Sequence, residues 1–126
     1  MEALIIDGKD DTPGITLDKD NNKFMFSGKS LPEDVEEFYT PVLFWIEKYA
    51  EDPNEKTLVE FKMDYFNTAS SKMLLDIFER FEIISSNGKE IEIEWYYWDL
   101  DEDMQEAGEG YEELIDIPFK FIEYKK

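Results

Sequence analysis

The chain is predicted to fold as one α/β domain over residues 1–126, with a mixed sheet of about six strands and two main helices. Three observations lead there. Apolar residues alternate with polar ones at Val59, Phe61, Met63 and Tyr65 and again at Ile91, Ile93, Trp95 and Tyr97. Between them, Met73, Leu74, Ile77, Phe78, Phe81 and Ile84 recur at three and four residues, the mark of one helical face. A strand–helix–strand unit over 58–98 implies a parallel pair joined by a right-handed crossover.

The remaining elements follow in order. Ala3–Asp7 reads as a short strand. Ile15–Leu17 and Lys23–Ser27 read as antiparallel arms around Asp18-Lys19-Asp20-Asn21-Asn22, a turn rich in residues that bond their own backbone. Ser30-Leu31-Pro32-Glu33 has the spacing of a capping box, with Pro32 near the first turn. Behind it, Val35, Phe38, Tyr39, Val42, Trp45, Ile46 and Tyr49 form a helical face that Pro41 should kink or split near Thr40. Asp52-Pro53-Asn54 ends this helix, and Ser85-Ser86-Asn87-Gly88 closes the second, with Asn87 or Gly88 suited to the left-handed conformation. An acidic segment runs from Asp99 to Glu113, and Phe119–Tyr124 is the last strand. Phe38, Trp45, Trp95 and Tyr97 are assigned to the core.

Composition narrows the function. With no histidine and no cysteine, the chain lacks the commonest general base, thiolate chemistry, disulfides and the usual transition-metal ligands. No dinucleotide or Walker-type glycine pattern occurs, and paired carboxylates carry no weight in a chain with 32 acidic residues. Nothing argues for an enzyme or a cofactor. The net charge of −19 repels nucleic acid and anionic membranes and favours basic partners or cations, although solubility alone would also account for it. Lacking a membrane-length apolar run or a signal-peptide core, the protein is expected in the cytoplasm.

The acidic runs do not fit an EF-hand. Asp99, Asp101 and Asp103 suit the first, third and fifth positions, but Met104 falls where glycine is needed and Gly110 where glutamate is needed. Asp18–Asn22 fails in the same way at Lys23. A cation-binding or small-molecule-binding role for residues 99–113 stands as the alternative function.

Tyr65-Phe66-Asn67-Thr68-Ala69-Ser70-Ser71-Lys72 lies where a strand hands over to a helix. Asn67 or Thr68 can cap the helix, which contributes about 1 kcal/mol. A single cap does not explain a cluster of hydroxyls, and a helix start favours anions through free N–H groups and the dipole. The turn therefore suits a phosphoacceptor.

Several blocks resemble the SiaC family of bacterial regulatory phosphoproteins: Ser27-Gly28-Lys29-Ser30-Leu31-Pro32-Glu33, Phe38-Tyr39, Pro41-Val42-Leu43 with Trp45, Tyr65 to Lys72, Trp95-Tyr96-Tyr97, and Asp101 to Glu109. The similarity extends from Thr12-Pro13 to Pro118-Phe119, and Leu100 departs from a run that is usually all acidic in the family. The resemblance implies a fold similar to STAS-type anti-sigma-factor antagonists and a partner-switching role rather than catalysis. It implies phosphorylation of Thr68 by a serine/threonine kinase and removal of the phosphate by a PPM-type phosphatase. It further implies that the unphosphorylated form activates a GGDEF diguanylate cyclase, raising cyclic di-GMP and promoting aggregation or biofilm. Ser70 and Ser71 are secondary acceptor or capping candidates together with Asn67, and Tyr65, Phe66 and Lys72 are candidate partner contacts.

Overall fold

The computed structural model describes residues 1–125. Among them the order is β1 (Leu4–Ile6), β2 (Gly14–Asp18), β3 (Lys23–Ser30), α1 (Val35–Tyr49), β4 (Lys56–Phe66), α2 (Thr68–Ser86), β5 (Glu90–Trp98), α3 (Glu102–Leu114) and β6 (Phe119–Tyr124). The strands form one six-stranded sheet in chain order. β1, β2 and β3 are antiparallel neighbours, whereas β3 through β6 run parallel, so the sheet is mixed as expected.

Alternation within the strands sends one face inward. Phe24 and Phe26 of β3, Val59, Phe61 and Met63 of β4, and Ile91, Ile93 and Trp95 of β5 are all buried. All three helices pack on this face. Tyr49 of α1 meets Phe24 at 5.1 Å between ring centroids, and Phe78 of α2 meets Phe61 at 4.7 Å. Tyr111 of α3 reaches Trp95 at 5.7 Å. On the opposite face Lys62 lies over the rings of Tyr96 and Tyr124, at 4.9 and 5.6 Å from their centroids. Of the four aromatic residues assigned to the core, Trp95 is fully buried, while Phe38, Trp45 and Tyr97 are partly buried against it.

The structure refines three local readings. The acidic stretch, to which the sequence assigned no element, is mostly a third helix, α3, capped by Asp101, whose carboxylate accepts from Met104 N–H at 3.0 Å. Its buried positions are Met104, Gly108 and Tyr111, a stripe at helical spacing in which one place belongs to glycine. Ser30 does not cap α1. It ends β3, paired with Phe66, and Asp34 takes the cap by accepting from Glu37 N–H at 3.1 Å. Of the two outcomes expected at Pro41, the split is excluded, since α1 runs unbroken from Val35 to Tyr49. Pro41 is exposed, so water can serve the carbonyl that lacks its helical donor. At the end of α2, Gly88 rather than Asn87 is left-handed, with φ 101°.

Gly108 sets how closely α3 approaches the sheet. A Cβ there would lie 2.6 Å from Trp95 Cδ1 and Nε1 and 2.7 Å from Phe121 Cε1, whereas one on Gly110 would meet nothing within 4 Å. Trp95 Nε1–H also donates to Met104 O at 2.9 Å, holding the helix in register. Two alanine substitutions on this helix should therefore have opposite signs. Gly108→Ala should destabilise by about 1–3 kcal/mol through overpacking, and Gly110→Ala should stabilise by about 0.5–1 kcal/mol through helix propensity. Urea unfolding of both variants checks this; loss of stability in neither would contradict the close packing.

Candidate functional site

Parallel strands β3, β4 and β5 end side by side at Ser30, Phe66 and Trp98, and α2 starts two residues beyond Phe66. Asn67 is extended, with φ −84° and ψ 175°, and its side chain accepts from Ser70 N–H at 2.8 Å. This is the cap expected of an Asn at a strand-to-helix turn. Ser71 N–H bonds Asn67 O at 2.9 Å, closing the first helical turn. The N–H groups of Thr68 and Ala69 have no intrahelical acceptor and point out of the helix start.

The three hydroxyls of the turn have different surroundings. Ser70 is fully buried; its hydroxyl donates to Ser30 O at 3.0 Å and accepts from Ser30 Oγ at 2.8 Å. Tyr39 of α1 completes the chain, its phenol 2.6 Å from Ser30 Oγ. Because Ser30 Oγ–H is directed to Ser70, the phenol is the donor. Burial pushes the Tyr39 phenol up to about 12, so it keeps that proton throughout the neutral range. Ser71 is half-buried, and its hydroxyl donates to Thr68 O at 2.6 Å. Thr68 is exposed, and its hydroxyl has no partner among the described residues. Ser70 is thus a structural hydroxyl out of reach of a modifying enzyme.

Other residues singled out in the sequence are divided between surface and core. Tyr65 is 52% exposed. Phe66 turns inward, with its ring centroid 6.2 Å from that of Trp95 and 6.5 Å from that of Tyr111. Lys72 is exposed one turn beyond Thr68 and makes no ion pair among the described residues. Tyr111 OH donates to Ser71 O at 2.7 Å, tying α3 to the first turn of α2. Its burial raises the phenol well above the ordinary tyrosine range. Sequence reasoning assigned no site role to Ser30, Tyr39 or Tyr111, because their contacts with the turn join segments far apart in the chain.

Two adjoining grooves lie at the same end of the sheet. One, of about 580 Å³, is bordered by Lys29, Asp64, Trp98, Asp99, Leu100 and Asp101. The other, of about 240 Å³, shares Asp64 and Asp101 and continues along Tyr65, Phe66, Asp103 and Met104. Among the described residues no group of three or more carboxylates is placed to hold a metal ion. No helix there is long and apolar enough to cross a membrane.

Removing the buried hydroxyl should be far more costly than removing its neighbour. Ser70→Ala leaves Ser30 Oγ without its acceptor and should cost about 1–3 kcal/mol. Ser71→Ala, at a half-exposed position, should stay within about 0.5 kcal/mol. Equal denaturation midpoints for the two variants would contradict the buried chain.

Comparison with known proteins adds identity to this geometry. The family model of the SiaC family regulatory phosphoprotein matches residues 6–124. An uncharacterized protein of Pseudomonas aeruginosa (strain UCBPP-PA14) is 29% identical over 119 residues, 94% of each chain. The structure of SiaC of Pseudomonas aeruginosa matches with a TM-score of 0.90 at 27% identity, over 98% of this chain and 100% of that one. A chain in the crystal structure of diguanylate cyclase SiaD in complex with its activator SiaC, from the same organism, also matches with a TM-score of 0.90. There the identity is 27%, over 96% of this chain and 99% of that one. The chain belongs to the SiaC family of regulatory phosphoproteins.

Proposed function

We propose that this protein is a non-enzymatic, phosphorylation-controlled partner-switching adaptor with Thr68 as its acceptor. A serine/threonine kinase adds the phosphate and a PPM-type phosphatase removes it. The unphosphorylated form engages and activates an output protein, a GGDEF diguanylate cyclase by analogy with the SiaC–SiaD complex. Its output is then cyclic di-GMP and the biofilm or aggregation response.

The observation that carries this reading is the sorting of the turn's hydroxyls. Ser70 is fully buried, Ser71 is engaged with Thr68 O, and Thr68 alone is exposed without a partner among the described residues. Phosphorylation adds about −1.5 to −2 charges. At the first residue of α2 the helix dipole offsets part of that charge, by about 0.3–1 kcal/mol, and the fold survives. A partner packed over Tyr65 and the helix start has to desolvate the dianion or stand away from it. A 100-fold loss of affinity requires only about 2.7 kcal/mol, within the range for burying an unpaired charge.

The test is incubation of wild type and Thr68→Ala with the cognate kinase, followed by mass spectrometry. One phosphate on wild type and none on the variant is expected, together with about 100-fold weaker binding of the phosphorylated protein to its cyclase. Equal incorporation into both proteins would remove Thr68 as the acceptor.

A further inference from the structure

The paired grooves at the carboxyl ends of β3, β4 and β5 combine three features beside the proposed switch. First, Leu100 is 96% exposed and is held at φ 84°. It is the third residue of a turn closed by Asp101 N–H to Trp98 O at 3.1 Å. That position with positive φ suits glycine or asparagine, and leucine there is disfavoured both by its backbone and by its exposure to water. Second, Tyr65 borders the adjoining groove and is also largely exposed. Third, the lining carries Asp64, Asp99, Asp101 and Asp103 against Lys29.

We propose that these grooves are the docking surface for a basic amphipathic segment of a partner protein. Its apolar side chains cover Leu100 and Tyr65, and its lysine or arginine side chains meet the flanking aspartates. Charge complementarity selects this occupant. A second copy is opposed by its own net charge of −19, and an anionic lipid surface by the same field. The exposed Phe44 beside the α1–α2 groove makes a weaker case: that groove's charged pair, Glu47 and Arg80, is already satisfied internally at 3.1 Å. The inference rests on the adaptor reading, since it supplies the contact surface that begins three residues before Thr68.

The test uses the unphosphorylated full chain and a labelled Leu/Lys amphipathic peptide, with its Leu/Glu counterpart as control, read by fluorescence anisotropy. Wild type should bind the Leu/Lys peptide in a salt-sensitive manner and should not bind the Leu/Glu peptide. Leu100→Asn relaxes the turn, so its melting temperature should hold or rise while its Kd weakens at least about tenfold, as expected for losing a buried leucine. Phe44→Asn should bind within about twofold of wild type. A Leu100→Asn Kd within about twofold of wild type, or an equal loss in Phe44→Asn, would overturn the proposal. Leu100-dependent dimerisation of the protein alone in sedimentation would overturn it in favour of a second copy. No kinase enters this assay, so an unchanged Kd removes the docking surface and leaves Thr68 as acceptor. Failure to label Thr68 removes the switch and leaves the peptide result standing.

Discussion

The hydroxyl chain from Tyr39 through Ser30 to Ser70 is the constraint on which the rest of this end of the molecule depends. It joins α1, the end of β3 and the first turn of α2 inside the hydrophobic interior, where each polar group must find a partner. Donors and acceptors match in one direction only. Tyr39 donates to Ser30 Oγ, which donates to Ser70 Oγ, which donates back to Ser30 O. The same carbonyl accepts from Asn67 N–H at 3.2 Å. Among the described residues no buried side-chain polar atom is left unsatisfied. Pinned from beneath, the helix start holds its outward groups, Thr68 among them, in a fixed place.

If Thr68 is the acceptor, as proposed, this arrangement separates stability from signalling. The atoms that hold the turn lie beneath α2, and the proposed acceptor lies above it. Tyr111 secures the same turn from the side by bonding Ser71 O, so α3 also belongs to the support. On the proposed reading, a charge added at Thr68 leaves the buried hydrogen bonds intact while altering the surface a partner meets. Binding free energies respond to a buried dianion by several kcal/mol, whereas the dipole-compensated effect on folding is near zero.

Much of the fold was legible because it is written in simple periods. Val59, Phe61 and Met63 alternate, and Leu74, Ile77, Phe78, Phe81 and Ile84 keep a helical period, so β4 and α2 could be read directly. The third helix escaped because its central inward position is Gly108, where the bulk that fills the space comes from Trp95 instead. Ser30 imitates a cap through its spacing from Glu33, and only its pairing with Phe66 shows that the strand continues through it. At the site, the capping role of Asn67 and the helix start at Thr68 follow from local chemistry. The distinction between Ser70 and Thr68 does not, because it depends on a partner 40 residues away. The exposure of Leu100 was likewise beyond a reading of pattern, since a single leucine in an acidic run has no period to place it.

The most direct measurement of the central claim is a thermal melt of protein carrying one phosphate on Thr68, beside the unmodified protein. If the buried hydroxyl chain holds the turn independently of what sits above it, the two should unfold cooperatively with midpoints within about 4 °C, the shift that corresponds to about 1 kcal/mol. A much larger drop, or loss of the cooperative transition, would mean that the phosphate reaches the fold itself, contradicting the separation between the clamp and the switch.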